Sequence, residues 1–171
     1  MRLFIAVDPD EGMRRELIRY MNDLRACGMQ GVYTKEENLH LTMAFIGEYG
    51  DPQTVLEAME EAADEVFTLS LKGTGSFGDL WWAGFDESEA LEKLAKRLRH
   101  ALAEHDIPYD RKAFKAHCTL VRRAHFPHNT VRLPEQELSA SMTVRAMTLY
   151  RSRQGKNGMV YTVLGEVSLY E

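Results

Sequence analysis

The chain has 171 residues, of which 44% are hydrophobic and 27% are charged, and its formal net charge is −5. This length suits one domain or two packed lobes that share a core, and the composition is typical of a globular protein. The first apolar run, residues 3–7, is too short for a signal peptide or a membrane span. The two cysteines, Cys27 and Cys118, fit a reducing compartment and lack the spacing of a zinc site. Together these features exclude a membrane-spanning segment and predict a cytoplasmic protein.

Charge is distributed unevenly along the chain. Residues 110–156 carry ten basic and three acidic side chains, a net charge of +7, so the remainder carries −12. An acidic chain is not typical of proteins that wrap long nucleic acids, which need many phosphate contacts. The basic segment fits a site for one phosphate group or a short RNA end, and it fits solvated strand edges equally well.

The first third of the chain predicts a strand, a helix, a strand and a second helix. Residues 2–7 are the first predicted strand, and Asp10 is the predicted N-cap of the helix that follows. That helix has an apolar stripe at helical spacing: Met13, Leu17, Met21 and Leu24. A strand is predicted over residues 38–46, and Pro52 begins the second helix.

Five strands and one helix are predicted in the remainder. The strands cover residues 66–71, 80–85, 117–121, 142–150 and 159–169, and the helix covers residues 88–104. A Gly/Ser-rich turn joins the first two of these strands, and residues 155–158 form a hairpin turn between the last two. No Gly-rich phosphate loop follows any strand, which favours antiparallel sheets with segregated helices over a doubly wound parallel sheet.

Two segments of the chain have the same pattern of His, any residue, Thr and a hydrophobic residue. They are His40-Leu-Thr42-Met and His117-Cys-Thr119-Leu, and both lie on predicted strands. Residues two apart on a strand point to the same face, so each His shares a face with its Thr. Brought together, the pairs would surround a small anion with two imidazoles and two hydroxyls, which suits acid–base chemistry on a phosphate.

At these residues the chain resembles the two-histidine phosphoesterases, and within them the bacterial and archaeal RNA 2′,3′-cyclic phosphodiesterases, once called 2′-5′ RNA ligases. The matching segments are residues 1–8, 37–42, 45–48, 117–122 and 149–153, with Gly158 and Tyr161. Tyr33 stands where that family usually has Trp, no Pro precedes Glu37, and Val121 stands where a smaller residue is common. These departures bear on substrate fit more than on the chemistry.

The resemblance implies an α+β fold in which two interleaved lobes, related by a pseudo-two-fold axis, form a single domain over residues 1–171. Antiparallel sheets would face a central cleft, with the helices outside. The implied activity is opening of 2′,3′-cyclic phosphate ends of RNA or nucleotides to 2′-phosphates, with His40 as proton donor and His117 as proton acceptor. The resemblance also implies a nucleobase contact at Phe45, although an ideal strand points Phe45 away from His40.

The chemistry of this reaction agrees with the residue types present. One imidazole must be neutral and the other charged, and His populates both forms near neutral pH. Thr42 and Thr119 can donate hydrogen bonds to the phosphate oxygens, and the guanidinium of Arg122 is a further anion-binding candidate. We expect no cofactor and no metal, an RNA end or cyclic nucleotide as the partner, no membrane partner, and a monomer.

Alternative interpretations remain open at this point. The same site could act on another cyclic or 2′-5′-linked phosphodiester, or the protein could be a non-catalytic module that binds RNA ends. Binding alone does not need two titrating bases, so the two His–x–Thr pairs favour an enzyme. Trp81 and Trp82 alternate on a strand, where both pack in the core or an interface, or one stacks on a base. The remaining histidines are predicted to be solvated or locally bonded: His100, His105, His125 and His128.

Overall fold

The computed structural model describes residues 1–171, apart from the side chain of Asn129. Its helices are α1 (Glu11–Ala26), α2 (Pro52–Ala62) and α3 (Glu89–Glu104). Its strands are β1 (Arg2–Val7), β2 (Gln30–Tyr33), β3 (Leu41–Glu48), β4 (Phe67–Phe77), β5 (Leu80–Phe85), β6 (His117–His125), β7 (Ser141–Val144), β8 (Ala146–Gly155) and β9 (Gly158–Ser168). Single 3₁₀ turns lie at Glu36–Asn38 and Pro127–Asn129.

The strands form two antiparallel sheets. The first sheet has the order β3-β1-β8-β9, and the second has the order β2-β6-β5-β4-β7. Both sheets bury apolar side chains in one hydrophobic core, to which β1 contributes Leu3 and Ile5, and β6 contributes Leu120 and Val121. The predicted α+β fold with two antiparallel sheets is confirmed. No helix among the described residues is long and apolar enough to cross a membrane.

The three helices begin where the sequence predicts, because each has a side chain that caps its free backbone N–H groups. The Asp10 carboxylate accepts a hydrogen bond from the Met13 N–H at 2.9 Å. Asp51 and Ser88 cap α2 and α3 in the same way. The predicted stripe of α1 is buried, so amphipathic periodicity orients this helix correctly.

Strand β2 was not predicted from the sequence. Its residues are mostly exposed, so it lacks the apolar alternation by which a half-buried strand is recognised. It pairs with β6, and Gly31 there has φ +147°. A Cβ at Gly31 would lie 2.6 Å from the carbonyl oxygen of Arg122. Only glycine fits this close approach of the two strands.

Three predicted strand boundaries were wrong. The Gly/Ser-rich segment predicted as a turn belongs to β4, which accommodates it with an irregularity at Gly73, where φ is +71°. Strand β6 continues beyond residue 121 to His125. Strand β3 begins at Leu41 instead of residue 38, because Glu36–Asn38 forms a 3₁₀ turn directly before it.

The predicted strand over residues 142–150 is two strands in different sheets. Strand β7 pairs with β4, whereas β8 pairs with β1, and Arg145 separates them. The buried apolar residues are Met142 and Val144 before the break, and Met147 and Leu149 after it. The phase of the alternation therefore shifts by one residue at the point where the chain passes from one sheet to the other. The predicted hairpin at residues 155–158 is confirmed.

We expect Asp10→Ala to lower the free energy of unfolding by about 1 kcal/mol, because α1 loses its N-cap. Urea denaturation followed by far-UV circular dichroism measures the change. The matched control is Asp10→Asn, which retains a capping oxygen and should stay close to the wild type. Equal destabilisation by the two substitutions would contradict a capping role.

Candidate active site

His40 immediately precedes β3 and is held by two hydrogen bonds. Its Nδ1–H donates to the carbonyl oxygen of Asn38 at 2.7 Å, and its Nε2 lies 2.8 Å from the Thr42 hydroxyl. Asn38 is itself buried, and its side-chain amide donates to the carbonyl oxygen of Met159 on β9. Since a carbonyl only accepts, the neutral ring carries its proton on Nδ1, and Nε2 accepts from Thr42. His40 and Thr42 therefore share a face although His40 precedes the strand.

His117 is the first residue of β6 and repeats part of this arrangement. Its Nδ1–H donates to the carbonyl oxygen of Lys115 at 2.6 Å. In both motifs the acceptor is the carbonyl two residues before the His. In the neutral ring, this bond leaves the lone pair on Nε2, the nitrogen that Thr42 contacts in the first motif. Both histidines are half-buried, but the hydrogen bond from His117 to Lys115 is exposed to solvent, whereas that from His40 to Asn38 is partly buried.

Each motif strand contains an irregularity at the third residue after its His. In the pairing of β1 with β3, Ala6 lies opposite Thr42 and Ile5 opposite Ala44, so Met43 is skipped. In the pairing of β5 with β6, Trp82 lies opposite Thr119 and Trp81 opposite Val121, so Leu120 is skipped. The same one-residue insertion thus occurs at the same position in both lobes.

These two bulges decide where the fifth residue after each His points. Without them, Phe45 and Arg122 would lie on the faces opposite their histidines. With the bulge, Phe45 lies opposite Phe4 and shares a face with Thr42, and Arg122 shares a cleft with Thr119. All six residues singled out in the sequence line one cleft of about 930 Å³: His40, Thr42, Phe45, His117, Thr119 and Arg122.

The cleft also contains basic side chains that sequence reasoning did not assign to the site. They are Arg2, Arg99, Lys112 and Lys115. Asp110 is the one acidic side chain among the described residues that line the cleft, and its carboxylate accepts from the Lys112 backbone N–H. The basic segment of residues 110–156 includes three basic residues of the cleft, which are Lys112, Lys115 and Arg122. Arg2 and Arg99 lie outside that segment.

Aromatic rings surround both imidazoles. The Phe4 ring centroid lies 4.9 Å from that of His40, and Tyr161 meets His40 edge-on at 5.5 Å. Phe77 meets His117 edge-on at 5.1 Å. Tyr161 and the segment that contains Phe4 were noted in the sequence as part of the resemblance, whereas Phe77 was not, because its contact with His117 depends on strand pairing. Such packing restricts rotation of the rings and lowers the local dielectric constant.

Burial is the main influence on the protonation of His40. Loss of solvation lowers the pKa of the His40 imidazole, and the nearby charges of Arg122 and His117 lower it further. The hydrogen bond to the Asn38 carbonyl and the charge of Asp8 act in the opposite direction but do not reverse the shift. Tyr150 and Thr148 each donate a hydrogen bond to the Asp8 carboxylate. His40 is therefore mainly neutral at pH 7.

Cys118 faces away from the cleft, as the alternation of the strand predicts. Its side chain is buried, and burial raises the pKa of the thiol to about 12. The thiol lies against the backbone of His40, so it packs where the two motifs meet beneath the cleft. A thiol that stays protonated at neutral pH is not a nucleophile.

The other four histidines do not line the cleft. His100 lies 3.5 Å from Glu104, and His105 Nε2 lies 2.9 Å from a Glu61 carboxylate oxygen. The ring of His125 donates to the carbonyl oxygen of Arg123. Within the described part of the chain, no three His, Cys, Asp or Glu side chains lie close enough together to hold a metal ion.

The family model of the 2′-5′ RNA ligase superfamily matches residues 13–156, well over half of the chain. The chain belongs to the 2′-5′ RNA ligase superfamily. One superfamily relative, the RNA 2′,3′-cyclic phosphodiesterase of Thermotoga maritima, is 30% identical and aligns over 97% of this chain and 94% of its own length. The enzyme of the same name from Archaeoglobus fulgidus is 33% identical over 94% of this chain and 96% of its own length.

Solved structures of this superfamily share the whole fold. A phosphoesterase crystal structure superposes with a TM-score of 0.85 at 28% identity, covering 99% of this chain and 98% of that one. Escherichia coli LigT complexed with 3′-AMP superposes with a TM-score of 0.81 at 27% identity and the same coverage. The pseudo-symmetric bilobal fold implied by the sequence resemblance is thereby confirmed.

The lowered pKa of His40 predicts a pH dependence of stability. Between the folded pKa and the unfolded value of about 6.5, the unfolded chain binds the proton more readily than the native protein does. Stability therefore falls as the pH drops through this window, and the loss is complete below the folded pKa. Urea denaturation of the wild type and His40→Ala at pH 7.5 and at mildly acid pH measures this contribution. The variant should lose less stability on acidification, and an equal loss would contradict the lowered pKa.

Proposed function

We propose that this protein hydrolyses 2′,3′-cyclic phosphodiester ends of RNA or nucleotides to 2′-phosphates, by acid–base catalysis with two histidines and without a metal ion. The observation that carries the proposal is the pair of His–x–Thr motifs facing one basic cleft. The relatives named RNA 2′,3′-cyclic phosphodiesterase, which align over nearly the whole chain, support the same reaction.

In the proposed reaction, water attacks phosphorus on the side opposite the 3′ oxygen. His117 accepts a proton from the water, and the new P–O bond forms as the bond to the 3′ oxygen breaks. His40 donates a proton to the departing 3′ oxygen, which leaves a 3′ hydroxyl and a 2′-phosphate. Thr42, Thr119 and Arg122 stabilise the charge on the non-bridging oxygens. One ring must be protonated and the other neutral. We therefore expect the rate to depend on pH in a bell-shaped profile.

Binding of the anionic substrate prepares His40 for its role as proton donor. In the structure Nε2 accepts from Thr42, and burial favours the neutral ring. A phosphate anion beside the ring favours the imidazolium and raises its pKa. Protonated Nε2 can no longer accept, so the Thr42 hydroxyl is free to donate to the phosphate. Substrate charge, imidazole protonation and the Thr42 hydrogen bond are therefore coupled.

A non-catalytic RNA-end-binding module is the rival function. The presence of two imidazoles argues against it, because a binding site gains more from permanent cations than from side chains of a type that can lose its charge near neutral pH. The cleft already contains such cations, including Arg2 and Arg122. Turnover of a 2′,3′-cyclic nucleotide distinguishes the two functions directly.

We expect His40→Ala and His117→Ala each to lower kcat by about two to four orders of magnitude, the usual size of a general acid–base contribution. The double variant should be much less than additive, because the two groups act in one step. Release of the 2′-phosphate from a 2′,3′-cyclic nucleotide measures the rates.

His100→Ala is the matched control, since this exposed histidine lies outside the cleft and its loss should leave kcat unchanged. Wild-type turnover should persist in EDTA. Activity lost on chelation and restored by a divalent ion would contradict the metal-free reaction. A kcat within a few-fold of the wild type in either folded single variant would contradict the proposed acid–base pair.

The order of the two roles has its own test. A substrate whose 3′ leaving group is much more acidic than an alcohol needs little protonation as it departs. On such a substrate, we expect His40→Ala to recover part of its lost rate while His117→Ala does not. Recovery in His117→Ala alone would reverse the assignment, and a 3′-phosphate product would contradict the proposed geometry of attack.

A further inference from the structure

The residue opposite the motif threonine differs between the two lobes. Thr42 lies opposite Ala6 on β1, whereas Thr119 lies opposite Trp82 on β5. The bulges are otherwise equivalent, so Ala6 and Trp82 occupy matched positions, one with a methyl group and the other with an indole. The second lobe therefore has a large ring opposite its motif threonine, and the first lobe has none at that position.

Two glycines leave the space that the Trp82 ring occupies. Gly75 lies directly across from Trp82 on β4, and a Cβ there would be 2.4 Å from ring atom Cζ2. Gly84 lies opposite His117 on β6, and a Cβ there would be 3.1 Å from ring atom Cζ3. Any side chain at Gly75 would displace the ring, so the position of the indole depends on this glycine.

The ring held in this way contacts both His117 and its aromatic neighbour. The centroid of Trp82 lies 6.5 Å from that of His117 and 5.2 Å from that of Phe77. Phe77 in turn meets His117 edge-on at 5.1 Å. The indole nitrogen of Trp82 makes no hydrogen bond to any described residue. Its action on His117 is therefore packing.

The two imidazoles differ in how firmly hydrogen bonds hold them. His40 is bonded at both ring nitrogens, to the Asn38 carbonyl and the Thr42 hydroxyl. Among the described residues, His117 has a hydrogen bond only at Nδ1, to the Lys115 carbonyl. One bond leaves the ring free to tilt about it. Contact with neighbouring rings is what limits that tilt.

We propose that Trp82, packed against Gly75 and Gly84, is a positioning residue that orients the His117 imidazole for proton transfer. The proposal rests on the proposed function, in which His117 accepts the proton of the attacking water. Trp82 does not line the cleft, so it acts through His117 and not on the substrate.

Kinetics of Trp82→Ala and Trp82→Phe test this role. We expect Trp82→Ala to lower kcat by about 10- to 100-fold, because small misplacement of a reacting group has effects of this size. KM should change little, since the phosphate contacts remain. Trp82→Phe keeps a flat ring and should recover most of the rate. Trp81→Phe is the control, because Trp81 packs against the core on the opposite face and its change should leave kcat near the wild type.

Gly75→Ala removes the space that Gly75 leaves for the Trp82 ring, without altering the ring itself. The backbone at Gly75 does not have a positive φ, so alanine is compatible with it, and the three atoms nearest to the added methyl group all belong to the indole. We expect a lowered kcat in Gly75→Ala. In a Trp82→Ala background the same change should have almost no further effect, because the ring it displaces is gone. Additive losses would overturn the proposed link between Gly75 and Trp82.

Fluorescence provides a readout that does not depend on turnover. The chain has two tryptophans, so Trp81→Phe leaves Trp82 as the only indole, and a protonated imidazole in contact quenches indole emission. We expect Trp82 emission to fall as pH is lowered, with a step that disappears in His117→Ala. The charged or titrating groups near His117 are Lys115, Arg122 and His40, so His40→Ala is included and should keep the step.

The outcomes separate the two proposals. An inactive wild type that still shows the fluorescence step would reject the proposed reaction while retaining the contact between Trp82 and His117. An active wild type with unchanged kcat in folded Trp82→Ala would overturn the positioning role. Absence of the His117-dependent step would overturn it as well. Circular dichroism of each variant establishes folding, and Trp82→Phe and Gly75→Ala keep the test valid if Trp82→Ala does not fold.

Discussion

The site depends on a one-residue irregularity that occurs at the same position of each motif strand, three residues after the His. Strict alternation would place His and Thr on the cleft face but would turn the fifth residue after each His away from it. Skipping Met43 in one lobe and Leu120 in the other returns Phe45 and Arg122 to the cleft. An aromatic ring and a guanidinium thus join the two His–Thr pairs around one volume. The skipped residues, Met43 and Leu120, are of the same types as ordinary core residues, and both are buried.

This explains which parts of the molecule could be predicted from its sequence. Spacing of two residues was enough to pair each His with its Thr, and capping residues located the helices. The bulges could not be predicted, because hydrogen-bond register between strands leaves no trace in residue type. Strand β2 was missed since its side chains are exposed. The break at Arg145 did leave a trace, because the buried apolar positions change from even to odd numbers across it, but the shift is only one residue within a stretch that predicts a single strand.

The two halves of the site are alike in backbone and unlike in environment. His40 is enclosed, bonded at both nitrogens and kept neutral by burial. The hydrogen bond of His117 is exposed to solvent and, in the described structure, involves one nitrogen. Near-identical motifs thus give two imidazoles with different hydrogen bonding. An acid–base pair needs two distinguishable groups, and this difference distinguishes them in the proposed reaction.

The order of strands has a consequence for how the protein folds. The first sheet combines β1 and β3 with β8 and β9, so its central pairing joins residues 2–6 to residues 148–152. The second sheet is formed largely from the segments between them. Neither sheet is a continuous piece of chain, and the first cannot close until residues 148–152 are available. High contact order of this kind slows folding, because loop-closure entropy is lost before distant contacts compensate for it. On a ribosome, β1 must wait for its β8 partner while the intervening residues 8–145 are synthesised.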